Sequence, residues 1–331
     1  MIRPAAFFCA ALCTLPALAD DKPFDIFMVQ WRGDTQTDVG FKNFFESSRI
    51  PANFTVRNPA QDKAAFPKII AEIKAQKPDL VYTWSMASAR GIDGQLTEDN
   101  LENYIQDIPI VNCMVSDPVV AGIATDWGKT NRNFTGVSHV PSIEAQLKAM
   151  KRYQDVKKLS IVYNTQQSSS NNAALELAEL AKSGGIDVQL LPLSLNEEGK
   201  TDPADIAVQV EKASQFKPDF LYIGPDSFLY VNRDPLFNAV NKHKLATFTP
   251  SDVFLVKGDA LFGLVGSYYV AGQYCGYKAA QILTQDKAPG DIPFDRLRNF
   301  STKVNMSAAH HLKLYPPMDM LAITEVIKTE K

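Results

Sequence analysis

Lys77-Pro78-Asp79-Leu80-Val81-Tyr82 returns later in the chain, barely altered, as Lys217-Pro218-Asp219-Phe220-Leu221-Tyr222. Each copy lies between a helix-patterned stretch and a polar loop, so one helix, turn, strand, loop unit is used in both halves. A short apolar strand entered through Pro-Asp and left through small polar residues has the character of a buried parallel strand. Two such sheets imply a cleft between them.

The same alternation extends outward from both copies. Phe24 to Val29 reads as a first strand that ends at the polar loop Gln30 to Thr35. A helix carrying Val39, Phe41, Phe44 and Phe45 on one side follows, then a strand near Phe54 to Arg57. Phe66, Ile69, Ile70 and Ile73 have helical spacing and lead into the first copy, which opens into Trp84-Ser85-Met86. Ile108 to Val115 forms the next strand and closes at Ser116-Asp117-Pro118. In the second half, strands are expected over Leu159 to Tyr163, Val188 to Leu191, the second copy, and Ala246 to Thr249. Helices lie between them, one of them stopped by Gly184-Gly185.

Strands alternating with helices of roughly ten residues or more select parallel sheets with right-handed crossovers. The fold class is therefore α/β, with two doubly wound parallel-sheet lobes. Ligands of such sheets bind outside the carboxyl ends of the strands. Applied twice, that rule gathers loops beginning at Trp31, Trp84, Ser116, Asn164, Pro225 and Ser251 around one cleft.

Composition narrows the role. The first 19 residues hold one cation, Arg3, an apolar run from Ala5 to Leu15, and Ala17-Leu18-Ala19 before Asp20. That is the pattern of a secretory signal cut after Ala19, and a soluble periplasmic protein is expected. No later segment offers the roughly 18 to 20 uninterrupted apolar residues of a membrane span. The formal charge of −3 is mild and dispersed, which gives no reason to expect nucleic acid or an anionic membrane as partner. Beyond the leader only Cys113 and Cys275 remain, in apolar surroundings that suit a single bridge or two free buried thiols.

Signatures of chemistry are missing. Gly128-Lys129-Thr130 resembles the end of a phosphate-binding loop, but the glycine required five residues earlier is Ile123. No GxGxxG follows the first strand, no GxSxG elbow occurs, and His310-His311 are adjacent rather than spaced for a metal. We expect no enzyme activity, no cofactor and no metal. The strand-end loops are instead rich in hydroxyls, amides and Asp, with aromatics among them. Trp31, Trp84 and Phe228 offer flat walls, Asp117, Asp226 and Asp252 suit an ammonium group, and Arg32, Ser85 and Ser170 suit a carboxylate. The plainer alternative is that these Ser and Asp residues cap the helices that follow, and that Arg32 pairs with Asp34 or Asp38.

Ser116-Asp117-Pro118-Val119, Thr135-Gly136-Val137-Ser138 and Tyr163-Asn164 resemble the ABC transporter substrate-binding family typified by tryptophan- and tyrosine-binding lipoproteins. So do Pro225-Asp226, Ser251-Asp252, Gly258-Asp259-Ala260-Leu261, Tyr268-Tyr269 with Gly272, and Val304 to Ala309. The resemblance implies a type I periplasmic-binding-protein fold with a hinge crossed three times. One lobe would comprise 20–137 plus 270–301 and the other 138–269 plus 302–331. Helix Ala271 to Leu283 would return to the first lobe, which also contains Cys113. Asp117, Asn164, Ser170, Asp226 and Asp252 fall on family positions in cleft loops. Trp84-Ser85-Met86 departs from the small turn expected there and would narrow the pocket or stack on the ligand. The implied role is a monomeric solute-binding component of an ABC importer, handing an amino acid or similar zwitterion to a permease with a cytoplasmic ATPase. A periplasmic sensor that signals ligand to a membrane receptor is the alternative.

Overall fold

The computed structural model describes residues 22–256 and 259–327; the expected leader lies outside the described residues. The chain first builds β1 (Phe24–Val29), α1 (Gln36–Ser47), β2 (Ala52–Arg57), α2 (Phe66–Gln76), β3 (Leu80–Trp84), α3 (Met86–Asp93), β4 (Ile110–Cys113) and β5 (Phe134–Ser138). It then crosses to a second sheet through α4 (Ile143–Tyr153), β6 (Lys158–Tyr163), α5 (Ser168–Ser183), β7 (Asp187–Pro192), α6 (Asp205–Phe216) and β8 (Phe220–Ile223). There follow α7 (Ser227–Val231), α8 (Arg233–His243), β9 (Thr247–Thr249), α9 (Asp252–Val256) and β10 (Phe262–Val265). Helix α10 (Tyr268–Gln285) returns to pack along α1, and β11 (Asp295–Arg296) joins the first sheet. The second sheet is completed by β12 (Ser301–Asn305), α11 (Met306–Leu312), α12 (Met318–Leu321) and β13 (Thr324–Ile327).

Strand order exposes the duplication. The first sheet runs β2-β1-β3-β4-β5-β11 and the second β7-β6-β8-β9-β10-β12-β13. The five leading strands of each follow the same path, and the pairs are parallel apart from β10 with β12. The repeated Lys-Pro-Asp has the same job twice. Lys77 and Lys217 end α2 and α6 in the left-handed region, at φ 49° and 56°, and Pro prevents the helix from continuing. Asp79 Oδ2 then accepts from the Asp25 amide at 2.8 Å, while Asp219 Oδ2 accepts from the Lys157 and Lys158 amides at 2.7 and 2.8 Å. Each Asp therefore pins the start of the neighbouring strand, β1 or β6, and so aligns the strand ends that face the cleft.

Each lobe is filled from its own apolar strands and helix faces. Tyr82, Phe27 and Phe41 are buried in the first, and Tyr222, Phe248 and Phe262 in the second. On α1, Phe41 and Phe45 are buried but Val39 is 40% exposed, against the expectation of a common face. At about 100° per residue Val39 lies roughly 200° around the helix from Phe41, so it faces solvent. Glycines allow α1 and α10 to touch: a Cβ on Gly272 would lie 2.0 Å from the Thr37 carbonyl oxygen, and one on Gly40 2.1 Å from that of Tyr269. Behind this contact, Cys113 of β4 and Cys275 of α10 form a disulfide with Cα atoms 6.3 Å apart. The pairing left open by the sequence is thus a bridge inside the first lobe. Three segments join the lobes, between β5 and α4, between β10 and α10, and between β11 and β12.

Candidate functional site

Strand ends of both sheets meet at a small inner pocket of about 40 Å³. Its walls include Arg32 from the loop after β1, Trp84 at the end of β3, and His139 after β5. Asp226, ahead of α7, and Tyr268, at the start of α10, close it. The two exits of the repeated strand, Trp84 and Pro225-Asp226, do face each other here.

Arg32 dominates the pocket. Its guanidinium carbon lies 4.9 Å from the centre of the Trp84 ring and 4.2 Å from that of Tyr230, so the cation is clasped between aromatics of opposite lobes. Neither Asp34 nor Asp38 pairs with it. Asp34 accepts from Gln30 Nε2 at 2.6 Å, and Asp38 caps α1 through Thr35 while accepting from the Tyr82 hydroxyl at 3.1 Å. Among the described residues Arg32 has no carboxylate partner.

Three other pocket residues carry buried polar atoms without a hydrogen-bond partner among the described residues: Trp84 Nε1, His139 Nδ1 and Asp226 Oδ2. Leaving such an atom unsatisfied costs about 1–3 kcal/mol, so three around one small pocket need a reason. Burial holds His139 neutral, its pKa driven down to about 3, with the Arg32 charge adding to the effect. Burial pushes the Asp226 carboxyl above its ordinary value, although the Ser170 hydroxyl and nearby backbone amides pull the other way. Oδ1 of Asp226 caps α7 by accepting from the Leu229 amide at 2.8 Å, which leaves Oδ2 for the pocket. Capping and binding are here two faces of one side chain.

The inner pocket opens past Ser85, Met86, Ser169 and Ser227, which line both spaces, into an outer chamber of about 970 Å³. Trp31 and Phe66, stacked with ring centres 5.9 Å apart, form one wall, and Phe228 faces them from the second lobe. Ser85 owes its place to an unusual backbone. At φ 95° it leaves β3 abruptly and its hydroxyl caps α3 by accepting from the Ser88 amide at 3.2 Å.

Other sequence candidates lie farther from the centre. Asn164 borders the outer chamber, but its side-chain oxygen accepts from Gln166 N and Thr201 Oγ1 at 2.9 and 2.8 Å. Ser170 accepts from the Asn164 amide at 3.0 Å and braces that loop. Asp117 borders a third space of about 50 Å³, where it caps its own turn through Val119 and Val120 and lies 3.7 Å from Arg296. Asp252 is paired with Lys303 at 3.1 Å. Tyr230 and His139 were not singled out in the sequence, and Tyr268 entered only through the family resemblance, not as a binding residue. They are isolated aromatic or imidazole residues with no periodic spacing, and only the topology brings them to Arg32.

A family model described as ABC transporter substrate binding protein matches residues 44–326. The chain belongs to that family. Its members are solute-binding proteins and not enzymes. This substrate-binding protein is 24% identical over 272 residues to the tyrosine-binding protein of Clostridioides difficile (strain R20291), covering 81% of this chain and 71% of that one. A conserved domain protein from Vibrio cholerae O1 biovar El Tor superposes with a TM-score of 0.80 at 20% identity, covering 93% of this chain and all (100%) of that one. An ABC domain in complex with L-Trp from Streptococcus pneumonia gives 0.76 at 20% identity, covering 91% of this chain and 100% of that one. Both structural likenesses establish the two-lobed fold. No helix among the described residues is long and apolar enough to cross a membrane, and no group of three or more His, Cys, Asp or Glu there could hold a metal ion.

Proposed function

We propose that this protein is the periplasmic solute-binding component of an ABC importer, acting as a monomer. It captures an amino acid or similar zwitterion, with an aromatic group, and presents it to a membrane permease driven by a cytoplasmic ATPase. The observation that carries the reading is the convergence of Arg32, which lacks a carboxylate partner among the described residues, with the orphaned Trp84 Nε1, His139 Nδ1 and Asp226 Oδ2 on one pocket. A carboxylate accepts from Arg32 and from the Trp84 N–H. An ammonium group donates to Asp226 Oδ2 and to the neutral His139 Nδ1. One zwitterion thus satisfies the three orphaned atoms of this pocket, and the ammonium restores the ionised form of Asp226 that burial disfavours. The tyrosine-binding relative and the L-Trp complex support the choice of an aromatic amino acid.

Because Arg32 and Trp84 belong to one lobe and Asp226 to the other, ligand contacts favour the closed arrangement by their difference between states. Hinge bending at the three connections admits and releases cargo. The test is calorimetry and thermal shift on ligand-stripped protein with L-Tyr and L-Trp. A ligand at a hundredfold excess over its Kd adds about 2.7 kcal/mol of stability. Asp226→Asn is expected to abolish that shift. Equal binding by the variant, or no shift with either amino acid, overturns the assignment.

A further inference from the structure

The outer chamber is mismatched to a free amino acid. Its roughly 970 Å³ lies at the upper end of the range for small-molecule sites, about 300–1,000 Å³. The inner pocket, at about 40 Å³, accommodates only a head group. A ligand that filled the inner pocket and stopped would leave the chamber lined by Trp31, Phe66 and Phe228 empty.

The chamber wall is also one-sided in charge. It contains Lys63 and Arg90 but no Asp or Glu, in a chain with 37 acidic and 34 basic residues. Arg90 spends its N–H groups on neutral acceptors: Nε on the Ala121 carbonyl at 2.6 Å, Nη2 on that of Val120 at 2.8 Å, and Nη1 on the Ser168 hydroxyl of the other lobe. Lys63 has no ion pair among the described residues. One carboxylate that touches the wall from outside, the exposed Glu98, hydrogen-bonds Tyr104.

We infer that the cargo is an α-amino acid whose side chain is extended through the Ser85, Met86, Ser169 and Ser227 neck into the outer chamber, where it ends in an aromatic group bearing a second anionic charge. This rests on the zwitterion reading of the inner pocket and adds the size and charge of what lies beyond it. The zwitterionic head is held at Arg32 and Asp226. The ring lies between Trp31 with Phe66 and Phe228, and its acidic group faces Lys63 and Arg90. Since the chamber wall is drawn from both lobes, the tail also draws them together.

A γ-L-glutamyl-L-tyrosine probe has all three parts: an amino-acid head, a flexible neck, and an aromatic ring beside a second carboxylate. Its Kd is compared by calorimetry with those of free L-Tyr, L-Trp and the probe with its tyrosine carboxyl converted to an amide. The expected order is at least tenfold tighter binding of the acidic probe than of free L-Tyr, with the amide losing about tenfold. Lys63→Glu, on an exposed 3₁₀ turn, is expected to weaken the acidic probe several-fold and leave L-Tyr unchanged. If L-Tyr or L-Trp binds as tightly as the acidic probe, or Lys63→Glu leaves the ratio unaltered, the extended cargo is refuted while the zwitterion site stands. If no probe binds at all, the zwitterion site falls and this inference with it.

Discussion

Reducing the Cys113–Cys275 bridge is a perturbation whose size can be worked from topology. The two residues are 162 apart in sequence, and the intervening chain holds most of the second lobe, all but β12, α11, α12 and β13. If both lobes unfold together, closing a loop of that length removes about 5 kcal/mol of denatured-state entropy. If the second lobe stays folded while the first opens, its closely spaced ends shorten the effective loop to roughly 35 residues, and the contribution falls to about 4 kcal/mol. Unfolding entropy near 2.1 cal/mol/K per residue converts these to a loss of about 8 °C for the whole chain, or about 12 °C for a lobe of roughly 150 residues unfolding alone. The assay is differential scanning calorimetry with and without a phosphine reductant, repeated on the Cys113→Ala, Cys275→Ala double variant. Two separated transitions, only the lower of which moves, identify independent lobes. A melting temperature that shifts by under 2 °C on complete reduction would falsify the reasoning, because the loop-entropy account allows no value so small.

Three further outcomes follow from burial and packing. Asp93 is fully buried, and desolvation lifts its carboxyl to about 7 against the help of Asn112 and Arg132. A raised carboxylate pKa means that the folded state keeps the proton, so stability declines as pH rises from about 4 to about 7, by up to about 4 kcal/mol. Asp93→Asn, which still accepts from Asn112, should flatten that part of the denaturant-midpoint profile. His139 has the opposite sense. Its pKa of about 3 lies below that of an unfolded histidine, so its contribution is complete above about pH 6.5 and is lost as pH falls toward 3. His139→Leu should retain about 3 kcal/mol more of its neutral-pH stability at pH 4 than wild type does. Gly272→Ala places a methyl against the Thr37 carbonyl, a backbone atom that cannot give way, and should cost about 1–3 kcal/mol in chemical denaturation. Wild-type stability in that variant would mean that α1 and α10 can separate freely.

How much of this was legible in the sequence depended on whether the signal was local. The Lys-Pro-Asp repeat announced parallel strands because a left-handed helix end, a proline and a capping Asp are all encoded within a few adjacent residues. From it came the two sheets, the strand-end rule, and the placing of Trp84 opposite Asp226. Strand β5 carries the motif Thr135 to Ser138 and was read there only as a family motif at the boundary between lobes; β10, β11, β12 and β13 were not anticipated as strands. Apart from β11, length does not separate them from β3 or β8, which were read, but β12 runs antiparallel to β10 and so lies outside the parallel pattern that revealed the others. The polar loop residues were harder. Ser85 and Asp226 cap helices and line the inner pocket together, whereas Ser170 and Asp252 are spent on Asn164 and Lys303. Residue type alone could not separate those cases, because the separation depends on which oxygen is left over once the cap is made.

Arg32 shows why the remaining step requires three dimensions. In sequence it has acidic neighbours at Asp34 and Asp38, close enough for an ordinary surface pair. The fold removes both: Asp34 is taken by Gln30, and Asp38 by the α1 cap and Tyr82. What replaces them is the Trp84 face from its own lobe and the Tyr230 face from the other, which attract a cation without neutralising it. A carboxylate partner would have satisfied the guanidinium and locked it. Two aromatic faces and the Tyr268 hydroxyl hold it in place while leaving its charge without a carboxylate. The same contacts bridge the lobes, so under the proposed reading the residue that recognises the ligand carboxylate would also help to stabilise the closed state. The proposed reading then couples binding and closure through one side chain, and Arg32→Lys tests that coupling. It keeps the charge but loses the planar fork that stacks between the rings. It should weaken L-Tyr binding about tenfold or more, and raise the ligand-free population of open molecules seen by small-angle scattering. A variant that binds tenfold more weakly but closes as before would separate the two roles.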